Sequence, residues 1–212
     1  MIVLHHLNFS RSTRILWLLE ELQIDYRLET HERSAGFRAP DSLRSVHPFG
    51  KAPVIKDDDE VIIESAVILN YLNDKYGAGR FTPTFGTPDR VRHDQWLHWA
   101  ESSAAQPLMN HLFGRLTGGF NQTLGAIVSR ETTNALTYLS SDSALSPYIT
   151  GDDFTLADVQ ISYVLALADY LDLLYAYPAL VAYQSMLKSR PAYARAIAVG
   201  GPMVPPKADR SS

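Results

Sequence analysis

The chain has 212 residues, 46% of them apolar and 20% charged, a balance ordinary for a globular protein long enough for one or two domains. The net charge is −4 and both halves carry a similar mix of signs, so nothing points to a nucleic-acid partner or an anionic membrane. There is no cysteine, which excludes disulfides, CxxC redox chemistry, a cysteine nucleophile and thiolate metal sites; with no apolar run near about 18 residues and no signal-peptide pattern at residues 1–4, a cytoplasmic protein is expected.

Residues 2–5 predict a first strand. Residues 8–12, Asn-Phe-Ser-Arg-Ser, form a polar loop, and from Arg14 the apolar residues Ile15, Leu18, Leu19 and Leu22 fall at helical spacing. Ser10 or Ser12 therefore lies at a helix start, where the local field favours negative charge. A hydroxyl donor there would stabilise an anionic group of a bound ligand. The bland alternative is a plain N-cap serine, and Asn8 and Ser12 compete with Ser10 as donors. Residues 26–30 alternate and predict a second strand, parallel to the first because a helix joins them. Residues 32–46 are polar, with a short helix expected over 41–45 and a loop cation at Arg38.

Residues 47–72, HPFGKAPVIKDDDEVIIESAVILNYL, read as loop, strand, acidic turn, strand and helix. Pro53 cannot donate to a sheet ladder, so it belongs at a strand's first residue or on an edge. Ser65 precedes the helical spacing of Ile68, Leu69 and Leu72 and is expected to be an N-cap. A helix N-terminus with a hydroxyl and a neighbouring carboxylate, Glu64, suits a ligand carrying both a carboxylate and an ammonium. Lys51 and His47 flank the loop before Pro53. Exposure to solvent is the ordinary fate of a lysine, and turn packing beside Pro48 is the ordinary reading of His47.

The Gly, Pro and Thr of residues 77–89 mark a linker. Beyond it the chain turns helical: 90–118 with a kink expected at Pro107 and a stop at Gly118-Gly119, then 122–141, with Ser146-Pro147 in the following loop. A strongly apolar, buried helix is expected over 155–174, opened by Thr155 and Asp158 at capping-box spacing, with Asp158 structural. A further helix over 178–190 and a short one after Pro191 complete the domain. The expected division is 1–78, a linker 79–89, a helical domain 90–200 and a mobile tail 201–212.

Three stretches together carry a resemblance. HPFGKAPV followed by ESAVILNYL, the opening LHHLNFSRSTRILWLLEEL, and the late FTLADVQIS are similar, in order and spacing, to the glutathione S-transferases over roughly residues 1–200. The resemblance implies an α/β thioredoxin-like N-terminal domain followed by an all-α domain. It implies a cis peptide at Pro53, with Ala52, Pro53 and the backbone of Val54 against the cysteinyl part of glutathione. Glu64 and Ser65 would hold the γ-glutamyl end, and Lys51, with His47 and Arg38 as further candidates, the glycine carboxylate. Ser10 stands four residues before Arg14, the spacing of the family's serine-type members. No tyrosine precedes Tyr26 and no cysteine occurs, against the tyrosine and cysteine types.

The implied function is transfer of the glutathione thiolate to small apolar electrophiles, or to a peroxide oxygen, in a detoxifying homodimer with glutathione as co-substrate. Phe9, Met109, Leu112 and Phe113 are candidate electrophile-site residues. Alternatives are a non-catalytic binding module of the same fold, or a glutathione-dependent isomerase, dehalogenase or ether-cleaving enzyme. No metal is expected: His5 and His6 alternate on a strand, His93 and His98 are five apart rather than three or four, and neighbouring carboxylate and imidazole ligands are missing. The glycines form neither a dinucleotide-binding pattern nor a P-loop, and Trp96 and Trp99 read as core or cleft wall.

Overall fold

The computed structural model describes residues 1–141 and 147–207. They divide into two compact units, one built from residues 1–81 and the segment from 188 onward, the other from residues 82–187.

The first unit contains β1 (Ile2–Leu7), α1 (Ser12–Leu22), β2 (Tyr26–His31), α2 (Asp41–Val46), β3 (Val54–Asp57), β4 (Glu60–Ile63) and α3 (Ser65–Gly77). The sheet order is β2-β1-β3-β4. β1 and β2 run parallel, as a helical crossover requires, while β3 lies antiparallel to β1 and the β3–β4 hairpin closes the edge. This is the thioredoxin-like arrangement. Every residue of β1 is buried, so both faces of the sheet are covered. Successive side chains take opposite faces: His6 reaches α1 and Gly200, whereas His5 meets His31, whose ring reaches Ser42 of α2.

α1, expected from the spacing of its apolar residues, is enclosed on more than one side. Ile15, Leu16, Trp17, Leu18 and Leu19 are all fully buried. The reason is α9 (Pro191–Gly200), which packs along α1 on one side while α3 packs on another. Trp17 meets Tyr193 edge-on at 5.1 Å, and Arg190 forks onto Glu21 at 2.6 and 3.0 Å. The expected helical domain of 90–200 thus yields its last stretch to the first unit. Of the expected tail, residues 201–207 are described and bury Met203; residues 208–212, and Ser146 of the expected loop, lie outside the described residues.

At the far end of β3, Asp57 anchors α3 to the sheet. Its Oδ2 accepts from Lys75 Nζ at 2.7 Å, Tyr71 Oη at 2.8 Å and Tyr76 Oη at 2.5 Å. Burial pushes this carboxyl up, but the three donors outweigh burial and hold its pKa at about 2.

The second unit contains α4 (Pro88–Trp99), a wide-turn π segment (Ala100–Ala105), α5 (Gln106–Leu116), α6 (Gln122–Ser141), α7 (Leu156–Tyr170) and α8 (Pro178–Lys188). Near Pro107, where a kink is expected, the helix contains a π segment that ends just before it. The wider turn accommodates a ring that would otherwise strike the preceding turn. α7 stops at Tyr170 rather than at Leu174, because Asp172 takes a left-handed φ of 63° and Leu174 opens a short 3-10 turn. Asp158 is fully buried at the start of α7. It accepts from Thr155 N (2.8 Å), Thr155 Oγ1 (3.0 Å), Ile149 N (3.0 Å) and Tyr183 Oη (2.6 Å). Burial raises its pKa, and these donors oppose the rise. Among the described residues no helix is long and apolar enough to cross a membrane.

Two predictions follow from these carboxylates. Asp57 has its folded pKa depressed from 3.8 to about 2, so its contribution is complete above the unfolded value and is lost as pH falls towards 2. The loss is on the order of 2 kcal/mol, and urea midpoints of Asp57→Asn measured from neutral pH down to about pH 2 should lack that acid limb. Asp158→Ala strands several buried donors and should cost about 3 kcal/mol or more in urea denaturation; Asp158→Asn should recover part of the loss.

Candidate functional site

The sheet register collects the candidate residues at one end. β1 and β2 both finish there, at the paired residues Leu7 and His31. β3 starts there, with Val54 opposite His5 on one side and Ile63 on the other. Residues 8–11, the segment after His31, Ala52-Pro53 and Glu64-Ser65 must therefore emerge together. The Ala52–Pro53 peptide is cis, and Pro53 sits just before a central strand, where its missing N–H costs no ladder bond.

The loop after β1 is held from inside. His6 Nε2 lies 2.7 Å from the carbonyl of Gly200, an atom that can only accept, so the network assigns the imidazole proton to Nε2. His6 Nδ1 is then an acceptor, and Ser12 Oγ donates to it at 2.8 Å. Burial lowers the His6 pKa and keeps this ring neutral. A side chain at position 200 would strike Leu16 at 2.5 Å and the His6 ring at 3.2 Å, which is why glycine stands there. Ser12 Oγ also accepts from Leu7 N at 3.1 Å. Ser10 Oγ accepts from Ser12 N at 3.1 Å and lies 2.7 Å from both the Leu7 carbonyl and Ser12 Oγ, so its proton is directed inward. Ser12 is fully buried and Ser10 nearly so. Asn8 is half-buried, and its carboxamide makes no hydrogen bond among the described residues.

The structure adds Arg33, which the sequence reading passed over in a polar segment. Its guanidinium donates to the carbonyls of Asn8 (2.9 Å), Phe9 (2.7 Å) and Phe37 (2.8 Å) and lies 4.0 Å above the Phe37 ring. Phe9 takes a left-handed φ of 54° and stacks on Phe37 at 6.3 Å. A cation between two aromatic residues was the available signal, but nothing local said that it folds back over the first loop.

The other half of the site is the start of α3. Ser65 is not its N-cap, as expected, but its first helical residue. The cap position belongs to Glu64, exposed and at a φ of 67°, an uncommon conformation for a side-chain-bearing residue. The Ser65 hydroxyl is occupied differently: it accepts from Nη2 of the fully buried Arg14 at 2.8 Å. The N–H groups of Ser65, Ala66 and Val67 have no backbone partner among the described residues, as a helix start requires. Val54 pairs with β1 and β4, so the open backbone lies instead on Ala52, whose N–H and C=O make no hydrogen bond among the described residues.

Lys51 and Arg38 are exposed, and neither side chain has a partner among the described residues. His47 Nδ1 accepts from Phe49 N at 3.2 Å, a turn-stabilising role. Met109, Leu112 and Phe113 lie on α5 of the second unit, with Phe113 exposed and Met109 Sδ accepting from Tyr163 Oη at 3.6 Å. One expectation needs correction. Carboxylate and imidazole neighbours for His5 do exist: β2 brings Glu29 and His31 beside it, a placement that strand alternation within β1 cannot reveal.

Comparison with known proteins gives a consistent picture. A family model described as "Glutathione S-transferase, N-terminal domain" matches residues 9–75. The chain is 36% identical over 186 residues to Glutathione S-transferase 3 of Schizosaccharomyces pombe, covering 81% of this chain and 76% of that protein. It is 29% identical over 211 residues to the disulfide-bond oxidoreductase YfcG of Escherichia coli, covering 93% and 94%. Among solved structures, a glutathione S-transferase from Actinobacillus pleuropneumoniae superposes with a TM-score of 0.85 at 30% identity, over 94% and 93% of the two chains. A sphingomonad glutathione S-transferase complexed with glutathione superposes with a TM-score of 0.79 at 25% identity, over 94% and 98%.

Proposed function

The chain belongs to the glutathione S-transferase family, and from that premise we propose that it conjugates the thiolate of glutathione to small apolar electrophiles. The observation that carries this reading is the pairing of unsatisfied backbone on Ala52 with the open first turn of α3 at one end of the sheet. Ala52 offers one donor and one acceptor to the cysteinyl residue, as an edge strand would. The N–H groups behind Glu64-Ser65 suit the α-carboxylate of the γ-glutamyl end, and the exposed Glu64 carboxylate its ammonium. Lys51, with Arg38 and His47 nearby in sequence, suits the glycine carboxylate.

The sulfur then falls to the loop after β1. Ser10 and Ser12 spend their hydroxyl protons inside the network, so the free carboxamide of Asn8 is the donor we assign to the thiolate, with the two serines positioning the loop. A donor and the α1 N-terminus together lower the thiol pKa, and holding the thiolate in place lowers the barrier to attack on carbon. In the attack, sulfur forms a bond to carbon and the leaving group departs with its electron pair. Met109, Leu112 and Phe113 are proposed to select the electrophile. The family resemblance further supports a homodimer.

A second reading is favoured by the likeness to the disulfide-bond oxidoreductase. The chain has no cysteine, so the attacking thiolate would be that of bound glutathione. It would displace one sulfur of a disulfide, and a second glutathione would resolve the mixed disulfide, giving oxidised glutathione and two thiols.

Calorimetry with glutathione should show saturable binding, and turnover of 1-chloro-2,4-dinitrobenzene should be enzyme-dependent; no heat and no turnover would overturn the proposal. Asn8→Ala should lower kcat/KM on the order of 10²-fold and move the acid limb of its pH profile upward, because the thiolate loses a donor. Ser10→Ala should instead act mainly through loop stability, leaving that limb in place. Ser65→Ala removes one acceptor of the buried Arg14, and should weaken glutathione binding about tenfold while lowering the melting temperature.

A further inference from the structure

Parallel pairing puts His5 directly beside Glu29, and His31, two residues further along β2, projects from the same face. His5 Nδ1 lies 3.2 Å from His31 Nε2 and 3.2 Å from Glu29 Oε2. One ligand atom from each of the three residues falls within 4.8 Å of the others. Both spacings sit at the upper end of the hydrogen-bond range of about 2.7–3.2 Å. They match the ligand-to-ligand edge of a tetrahedral metal, about 3.3 Å for bonds of roughly 2.0–2.1 Å. A single proton on His5 Nδ1 could also serve only one of its two equidistant acceptors well.

Outer contacts orient two of the three donors, His31 and Glu29, while His5 Nε2 is buried with no hydrogen-bond partner among the described residues. His31 Nδ1 lies 2.8 Å from Ser42 Oγ, a contact that, with Nδ1–H donating, turns the Nε2 lone pair towards His5. Arg27 Nη2 holds the other carboxylate oxygen, Glu29 Oε1, at 2.7 Å and leaves Oε2 facing the histidines. His5 is 3% exposed and fixed in the sheet, whereas the Glu29 side chain is 38% exposed and gives an ion a way in from solvent.

We propose that His5, Glu29 and His31 bind one divalent transition-metal ion of the zinc class, with solvent completing the coordination. Two imidazoles and one carboxylate suit zinc or cobalt better than the oxygen-seeking calcium and magnesium. The ion staples β1 to β2 and, through Ser42, to α2. Its place is beneath the first loop, since Asn8 N donates to the His31 carbonyl at 3.4 Å. Its role is to stiffen the strand ends that carry the candidate thiol site, not to touch the substrate.

The test uses the full chain, free of affinity tag, stripped with chelator and kept free of glutathione, so that its outcome is independent of the conjugation proposal. Zn²⁺ titrated by calorimetry should bind at one equivalent and raise the melting temperature. Co²⁺ should bind with the intense visible bands of a four-coordinate site. His31→Ala and Glu29→Gln, both at partly exposed positions, should each weaken Zn²⁺ binding 10–100-fold and remove the thermal gain. Absence of saturable Zn²⁺ binding would overturn the proposal. So would binding that survives unchanged in both variants, which would place the ion elsewhere, or a Co²⁺ spectrum of weak, six-coordinate type.

Discussion

A buried guanidinium decides the geometry of this site. Arg14 is fully enclosed in the first unit, where an unpaired charge would cost several kcal/mol, and its Nη2 is committed to the Ser65 hydroxyl. That bond ties α1, and with it the loop after β1, to the first turn of α3. Ser65 accepts from Arg14 and keeps its own O–H to donate, and the first-turn N–H groups beside it stay open as at any helix start. The placement of the Ser65 hydroxyl in that turn is thus tied to one internal charge.

The loop itself is governed by a chain of polar atoms that runs inward: Ser10 to Ser12, Ser12 to His6, His6 to the Gly200 carbonyl. Each member has a partner, and the last partner belongs to the end of α9, far along the chain. The polar chain adds a hydrogen bond to the packing that joins α9 to the first unit. It also changes the meaning of the two serines, since a hydroxyl already donating inward is a poor donor outward. Arg33 completes the loop from the other side by collecting three carbonyls.

Glu29 and His31 show the limits of strand periodicity as a guide. Alternation correctly separates His5 from His6, yet it is silent about what an adjacent strand supplies. The three-residue cluster exists because β2 pairs with β1 in one register, and a shift by one residue would send Glu29 and His31 to the opposite face.

Much of the architecture was legible in the residues. The four strands, the parallel crossover, the hairpin at the acidic turn, the capping pair Thr155–Asp158 and the helices of the second unit all follow from periodicity and turn chemistry, which are local properties. The place of Pro53 just ahead of a strand was legible for the same reason, whereas Ser65, expected as the N-cap, is the first residue of α3 and the cap falls to Glu64. The tertiary structure alone decided which atoms remain open: Ala52 rather than Val54, and Asn8 rather than Ser10. Hydrogen-bond capacity is spent on partners distant in sequence, and only their juxtaposition in the folded chain shows which groups have capacity left.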